Sequence, residues 1–203
     1  MAGVSPALAD ISGAAQTKTI EAPKDNTADV AANWTIDPDR SSITFGGSES
    51  GNKFQGKIEK YEAAIVFDPE NLEKTAVLLT FDMYAAKTGN ASYDGALRGA
   101  EWLNIDRFPT AQFKLGAIVR QSGAAQAGDV QSADYTVTGD FTLAGVTKQI
   151  SFPAHISITD RHQAEARADF TIPRLDYNIG RQADGDGTIV SQDITVNVTL
   201  VAH

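Results

Sequence analysis

The chain has 203 residues, a formal net charge of −9 and no cysteine. The acidic balance disfavours nucleic acid and strong electrostatic docking on anionic membranes, and the missing cysteine excludes disulfides and thiolate metal sites. A hydrophobic share of 42% suffices for a packed core, and no apolar run approaches the ~18 residues of a membrane-spanning helix.

Residues 1–33 are rich in Ala, Ser, Thr, Asp and Pro, with no sustained period and no aromatic residue. That composition predicts a flexible leader or tether. The start lacks the basic stretch and apolar core of a signal peptide, although Ala7-Leu8-Ala9 before Asp10 has the small-residue pattern of a cleavage site. Order is expected from Trp34, with a single domain over 34–203.

From there, period-2 alternation predicts strands. Ile43 and Phe45 alternate with Ser42 and Thr44, and a second run lies within 54–67. Val77, Leu79, Phe81 and Met83 follow, then Phe113, Leu115, Ala117 and Val119, then a run within 134–143 that contains Phe141. Ile150, Phe152, Ala154, Ile156 and Ile158 form the next apolar face. Ala166, Ala168, Phe170 and Ile172 precede the clearest run, in which Ile194, Val196, Val198 and Leu200 alternate with Thr195, Asn197 and Thr199. Eight strands with one dry and one wet face predict antiparallel pairing. They close into a barrel or split into a sandwich.

Only 91–103 reads as helical. Tyr93, Leu97, Ala100 and Leu103 recur at helical spacing, Asn90 is placed to cap the start, and Gly99 should break the segment. A short helical insert after about the fourth strand is therefore expected.

The inward face of these strands is aliphatic and aromatic. It either fills a plain core or lines an apolar lumen for an apolar guest. The contact candidates on it are Phe45, Leu79, Phe81, Phe113, Phe141, Phe170 and Val196. Trp102 and Phe108, on the link between the helical insert and the next strand, either line the lumen or seal its end. Tyr93 and Tyr177 offer an apolar ring with one hydroxyl, and Arg174, after Ile172, is placed either to meet a head group or to pair with Asp94 or Asp176.

Catalytic signatures are missing: there is no nucleophile elbow and no phosphate-cradling glycine loop. His155, His162 and His203 do not have metal-ligand spacing. Ala183-Asp184-Gly185-Asp186-Gly187 lacks the ligand pattern of a calcium loop and reads as a flexible turn. No catalytic residue, metal or cofactor is expected.

Several strings taken together are specific. Trp34-Thr35-Ile36-Asp37 leads into Ser42-Ile43-Thr44-Phe45, and Thr88-Gly89-Asn90 is followed by Asp94 and Trp102-Leu103. Phe108-Pro109-Thr110-Ala111-Gln112-Phe113, Thr138-Gly139-Asp140-Phe141, Gly145-Val146-Thr147-Lys148 and Ile179-Gly180 complete the order. In this arrangement the segment from Trp34 to Ala202 resembles the YceI family of lipocalin-like, polyisoprenoid-binding bacterial proteins. The resemblance implies a barrel with a long tunnel, a helical segment near its mouth and a single-chain apolar lipid inside, in a periplasmic or secreted protein; with the strands counted above, an eight-stranded antiparallel lipocalin-like barrel is expected, as a monomer or homodimer. It also implies an alternative: an isoprenoid quinone as guest and a membrane cytochrome b as partner. Many relatives carry histidines near the first strand, where this chain has Arg40 and Gly46-Gly47-Ser48-Glu49-Ser50-Gly51. Head-group recognition is expected to differ accordingly.

Overall fold

A computed structural model describes residues 33–121, 125–128, 130–159 and 163–203. The leader reading, apart from Asn33, and His162 lie outside the described residues.

The described residues are all-β with one α-helix. In chain order the strands are β1 (Ser42–Glu49), β2 (Asn52–Ile58), β3 (Tyr61–Val66), β4 (Ala76–Asp82), β5 (Ala86–Lys87), β6 (Thr110–Arg120), β7 (Ala125–Ala127), β8 (Val130–Leu143), β9 (Val146–Thr159), β10 (Gln163–Pro173) and β11 (Asp193–Ala202). Helix α1 (Ala91–Arg98) stands between β5 and β6. All pairings are antiparallel, in the order β3-β4-β6-β8-β9-β10-β11-β1-β2-β5, with β7 added against β8.

Where eight strands were expected, the described residues form eleven. The run within 54–67 breaks at Glu59-Lys60 into β2 and β3, while β5 and β7, of two and three residues, are too short to show a period. The break at Glu59-Lys60 brings the sheet round on itself. β2 pairs with β1 and β3 pairs with β4, so one kinked stretch of chain serves both ends of the sheet order. Glu59 N–H donates to the Ala85 carbonyl and Asp82 N–H to the Lys60 carbonyl, which fixes the kink. Residues 34–36 do the same lower down: Trp34 bridges Ile65 on β3 and Ile36 bridges Ala202 on β11. The sheet is therefore curled into a barrel-like wall, and its buried core draws on nearly every strand, including Ile43, Leu79, Phe113, Val137, Ala168 and Leu200.

The helix follows its sequence signals. Asn90 Oδ1 accepts from the N–H groups of Ser92 and Tyr93 at 3.0 and 3.3 Å. Gly99 ends the helix, and 100–107 continues as turns rather than as a second helical piece. The Thr-Gly-Asn string builds this start: Thr88 donates from its N–H and its hydroxyl to Asp94 Oδ1, at 2.6 and 2.7 Å. Those bonds hold the Asp94 carboxyl below its ordinary pKa of 3.8.

Candidate functional site

Alternation turns most apolar strand residues inward, and these faces line a cavity of about 300 Å³; beyond the irregularity between Leu115 and Ala117 on β6 the phase flips, so Ile118 lines the cavity while Ala117 and Val119, expected on the apolar face, are exposed. This lies at the low end of the ~300–1,000 Å³ typical of small-molecule pockets. Of the side chains around it, only Thr44, Thr75, Arg167 and Arg174 are polar. On β11 the lining residues are Ile194, Val196, Val198, Leu200 and Ala202, while Thr195, Asn197 and Thr199 stay off the cavity, as the alternation requires.

Aromatic rings line much of the wall. Phe81 meets Phe141 edge-on at 6.4 Å, Phe113 meets Phe152 at 5.6 Å, and Phe152 stacks on Phe170 at 4.3 Å with planes 13° apart. Glycines make room for some of these rings. A Cβ on Gly56 would come within 2.3 Å of the Phe45 ring, and one on Gly139 within 2.6 Å of Phe113. Both glycines thus let an aromatic side chain lie across a neighbouring strand.

Nine candidates face the cavity: Phe45, Leu79, Phe81, Trp102, Phe113, Phe141, Phe170, Arg174 and Val196. Tyr93, Phe108 and Tyr177 do not. The Tyr93 hydroxyl donates to Glu49 Oε2 at 2.6 Å and ties α1 to the β1–β2 hairpin. Phe108 packs under Gly145 at the tip of the β8–β9 hairpin, with Arg107 over its ring at 5.2 Å. Tyr177 is 1% exposed and packs edge-on against Phe141 at 5.7 Å. Its buried hydroxyl has no hydrogen-bond partner among the described residues, and burial pushes its pKa up to about 12.

Arg174 lines the upper end of the cavity, but its guanidinium is committed. It donates to the carbonyls of Ser191, Ile179, Asp184 and Val190 at 2.8–3.1 Å, and to Asp184 Oδ2 at 2.6 Å. The acid it pairs with is Asp184 rather than Asp94 or Asp176. Asp184 sits in the acidic loop read from sequence as a flexible turn; here it is a structural anchor, accepting also from Ile189 and Val190 N–H. Those backbone bonds, with the Arg174 charge, hold its pKa below 3.8. Trp102 lies under the guanidinium at 5.5 Å, and Gly180, at φ +67, leaves space for both. With its donors so engaged, Arg174 closes the upper end rather than offering a head-group site.

The lower end is lined by residues the alternation did not single out. Phe67, Ala133 and Tyr135 form a second buried cluster with Trp34, Ile65 and Ile118 against it. Trp34 Nε1 donates to the Phe67 carbonyl at 2.9 Å. The signal that could have found them is Trp34 itself, a large apolar side chain just ahead of the first strand. The glycine-rich departure at 46–51 also has a structural role, since Ser48 N–H donates to Ser191 Oγ where the β1–β2 hairpin passes the Arg174 loop. Among the described residues no group of three His, Cys, Asp or Glu is placed to hold a metal ion, and no helix is long and apolar enough to cross a membrane.

The YceI-like domain family matches residues 34–202. A UPF0312 protein of Pectobacterium carotovorum is 30% identical over 129 residues, 61% of this chain and 62% of that protein. Protein YceI of Salmonella arizonae is 28% identical over 130 residues, 63% of each chain. These alignments span less than two thirds of either relative's length. Among solved structures, Burkholderia cenocepacia BcnA superposes with a TM-score of 0.72 at 22% identity, covering 83% of this chain and all of that one. A polyisoprenoid binding domain from Saccharophagus degradans superposes with a TM-score of 0.67 at 14% identity, covering 84% and 97%. This chain belongs to the YceI-like family.

Proposed function

We propose that this protein binds a single-chain apolar lipid, a polyisoprenoid or a close analogue, within its barrel-like wall, and carries or sequesters it without chemical change. The observation that carries this reading is the cavity itself: an apolar space within the curled sheet whose polar neighbours are two threonines and two arginines, one of them bound to Asp184 and to backbone carbonyls. Removing apolar surface from water supplies the binding energy, at about 0.8 kcal/mol per enclosed CH₂. Methyl-branched, unsaturated chains suit a wall of aromatic faces and edges. The polyisoprenoid binding domain with a similar fold supports the choice of lipid class. A periplasmic or extracellular setting, where an apolar chain needs a carrier between membranes, is part of the proposal.

Extraction of the purified protein with organic solvent, followed by mass spectrometry, tests it. A prenyl chain in the extract, or uptake of an added one by lipid-free protein, is the expected result. No lipid and no uptake overturns the reading, and a quinone would assign the redox accessory role instead.

A further inference from the structure

The wall of the cavity is not uniformly paired. β8 and β9 are in register along their whole length, from Val130 with Thr159 to Leu143 with Val146. β10 and β11 are likewise paired from Ala164 with Ala202 to Pro173 with Asp193. β9 and β10 pair only from Thr159 with Gln163 to His155 with Arg167. Above that point residues 146–154 of β9 and 168–173 of β10 carry no ladder to each other, so the sheet splits into a seam. Pro153, just beyond the last pair, has no N–H to give a ladder and belongs at a sheet edge.

The seam is closed by side chains alone. Phe152 of β9 stacks on Phe170 of β10 across it at 4.3 Å. Both rings line the cavity and both are only half-buried. Higher up, Tyr177 packs on Phe141 with its hydroxyl unpartnered. The two ends of the cavity are fastened differently. The upper end is held by the Arg174 bonds to Asp184, Val190, Ser191 and Ile179, and the lower end by Trp34 and Asn33 on the Phe67 backbone. Opening the upper end breaks buried hydrogen bonds and a buried ion pair, and opening the lower end breaks part-buried hydrogen bonds to the Phe67 backbone. Opening the seam breaks only apolar ring contacts, which a lipid tail replaces as it passes.

We propose that the lipid loads and leaves sideways, through the seam between β9 and β10, with the Phe152–Phe170 stack as its gate. This rests on the lipid-binding reading above. The cysteine-free chain allows a clean test. A Phe152→Cys/Phe170→Cys variant is joined by a short bis-maleimide cross-linker, and a Glu49→Cys/Tyr93→Cys variant, joined in the same way, tethers the β1–β2 hairpin to α1 at the upper end. Stopped-flow uptake and release of dansyl-labelled geranylgeraniol are followed with and without the cross-link. Relative to the same double-cysteine variant before cross-linking, sealing the seam should slow both rates about ten-fold or more, as a gate does. Sealing the upper end should leave both rates unchanged. Phe170→Ala, which removes half of the stack, should speed release several-fold. Rates insensitive to the seam cross-link and to Phe170→Ala, or slowed by the upper tether, overturn the side portal while leaving lipid binding intact. Failure of the unmodified chain to take up the probe overturns the lipid reading itself, and the portal with it.

Discussion

Arg174 and Asp184 meet at 2.6 Å with their side chains 1% and 3% exposed, and this buried ion pair holds the loop that closes one end of an apolar cavity. Two charges in so dry a place are tolerable only because backbone carbonyls and N–H groups occupy their remaining hydrogen-bonding positions.

Removing one partner leaves the other charge buried alone. Asp184→Ala should therefore destabilise the fold by about 3–5 kcal/mol, since Arg174 loses its counter-ion. Urea unfolding at neutral pH measures it. A loss under about 1 kcal/mol would mean that the loop is anchored elsewhere.

The same pair sets an acid limit. The folded pKa of Asp184 lies below its ordinary 3.8, so its stabilisation is complete above 3.8 and is lost as pH falls through the lower folded value. Urea midpoints taken downward from pH 5 should fall faster for the wild-type chain than for Asp184→Asn, which has no carboxyl to protonate. Parallel curves would refute the assignment. Trp102, under the guanidinium, should report the change by fluorescence in a Trp34→Phe background, which leaves it the sole tryptophan.

Tyr177 carries a buried hydroxyl with no partner, so Tyr177→Phe should leave stability unchanged or raise it by about 1 kcal/mol. Thermal unfolding of the lipid-free protein decides this. A loss of more than about 1 kcal/mol would show that the hydroxyl has a partner worth keeping.

The strands that alternate cleanly were legible because one face must be dry. A one-residue slip on β11 would put Ile194, Val196 and Val198 in water and Thr195 and Asn197 inside. The kink at Glu59-Lys60 was not legible, because both halves are good strands and only long-range pairing separates them. Ring-with-hydroxyl chemistry marked Tyr93 and Tyr177 as guest contacts and left Phe108 to line the lumen or seal its end; none of the three lines the cavity, because helical spacing placed Tyr93 on α1 without telling which way α1 faces, and Phe108 and Tyr177 sit in segments too short to show a period. The Arg174 partner was missed for a related reason. Asp184 sits among glycines in a loop, where sequence shows turn chemistry but not which buried charge the loop folds over.

The most direct test of the account is a calorimetric titration with prenyl alcohols of increasing length and a matched series with a second head group. One five-carbon unit contributes about 3–4 kcal/mol gross, whereas association costs ~4–15 kcal/mol, so a single unit should not bind measurably. Affinity should climb steeply over the next units and level off once the cavity is full, with a head-group effect of at most ~1–3 kcal/mol. Affinity that is flat across chain lengths but strongly dependent on the head group would contradict the account.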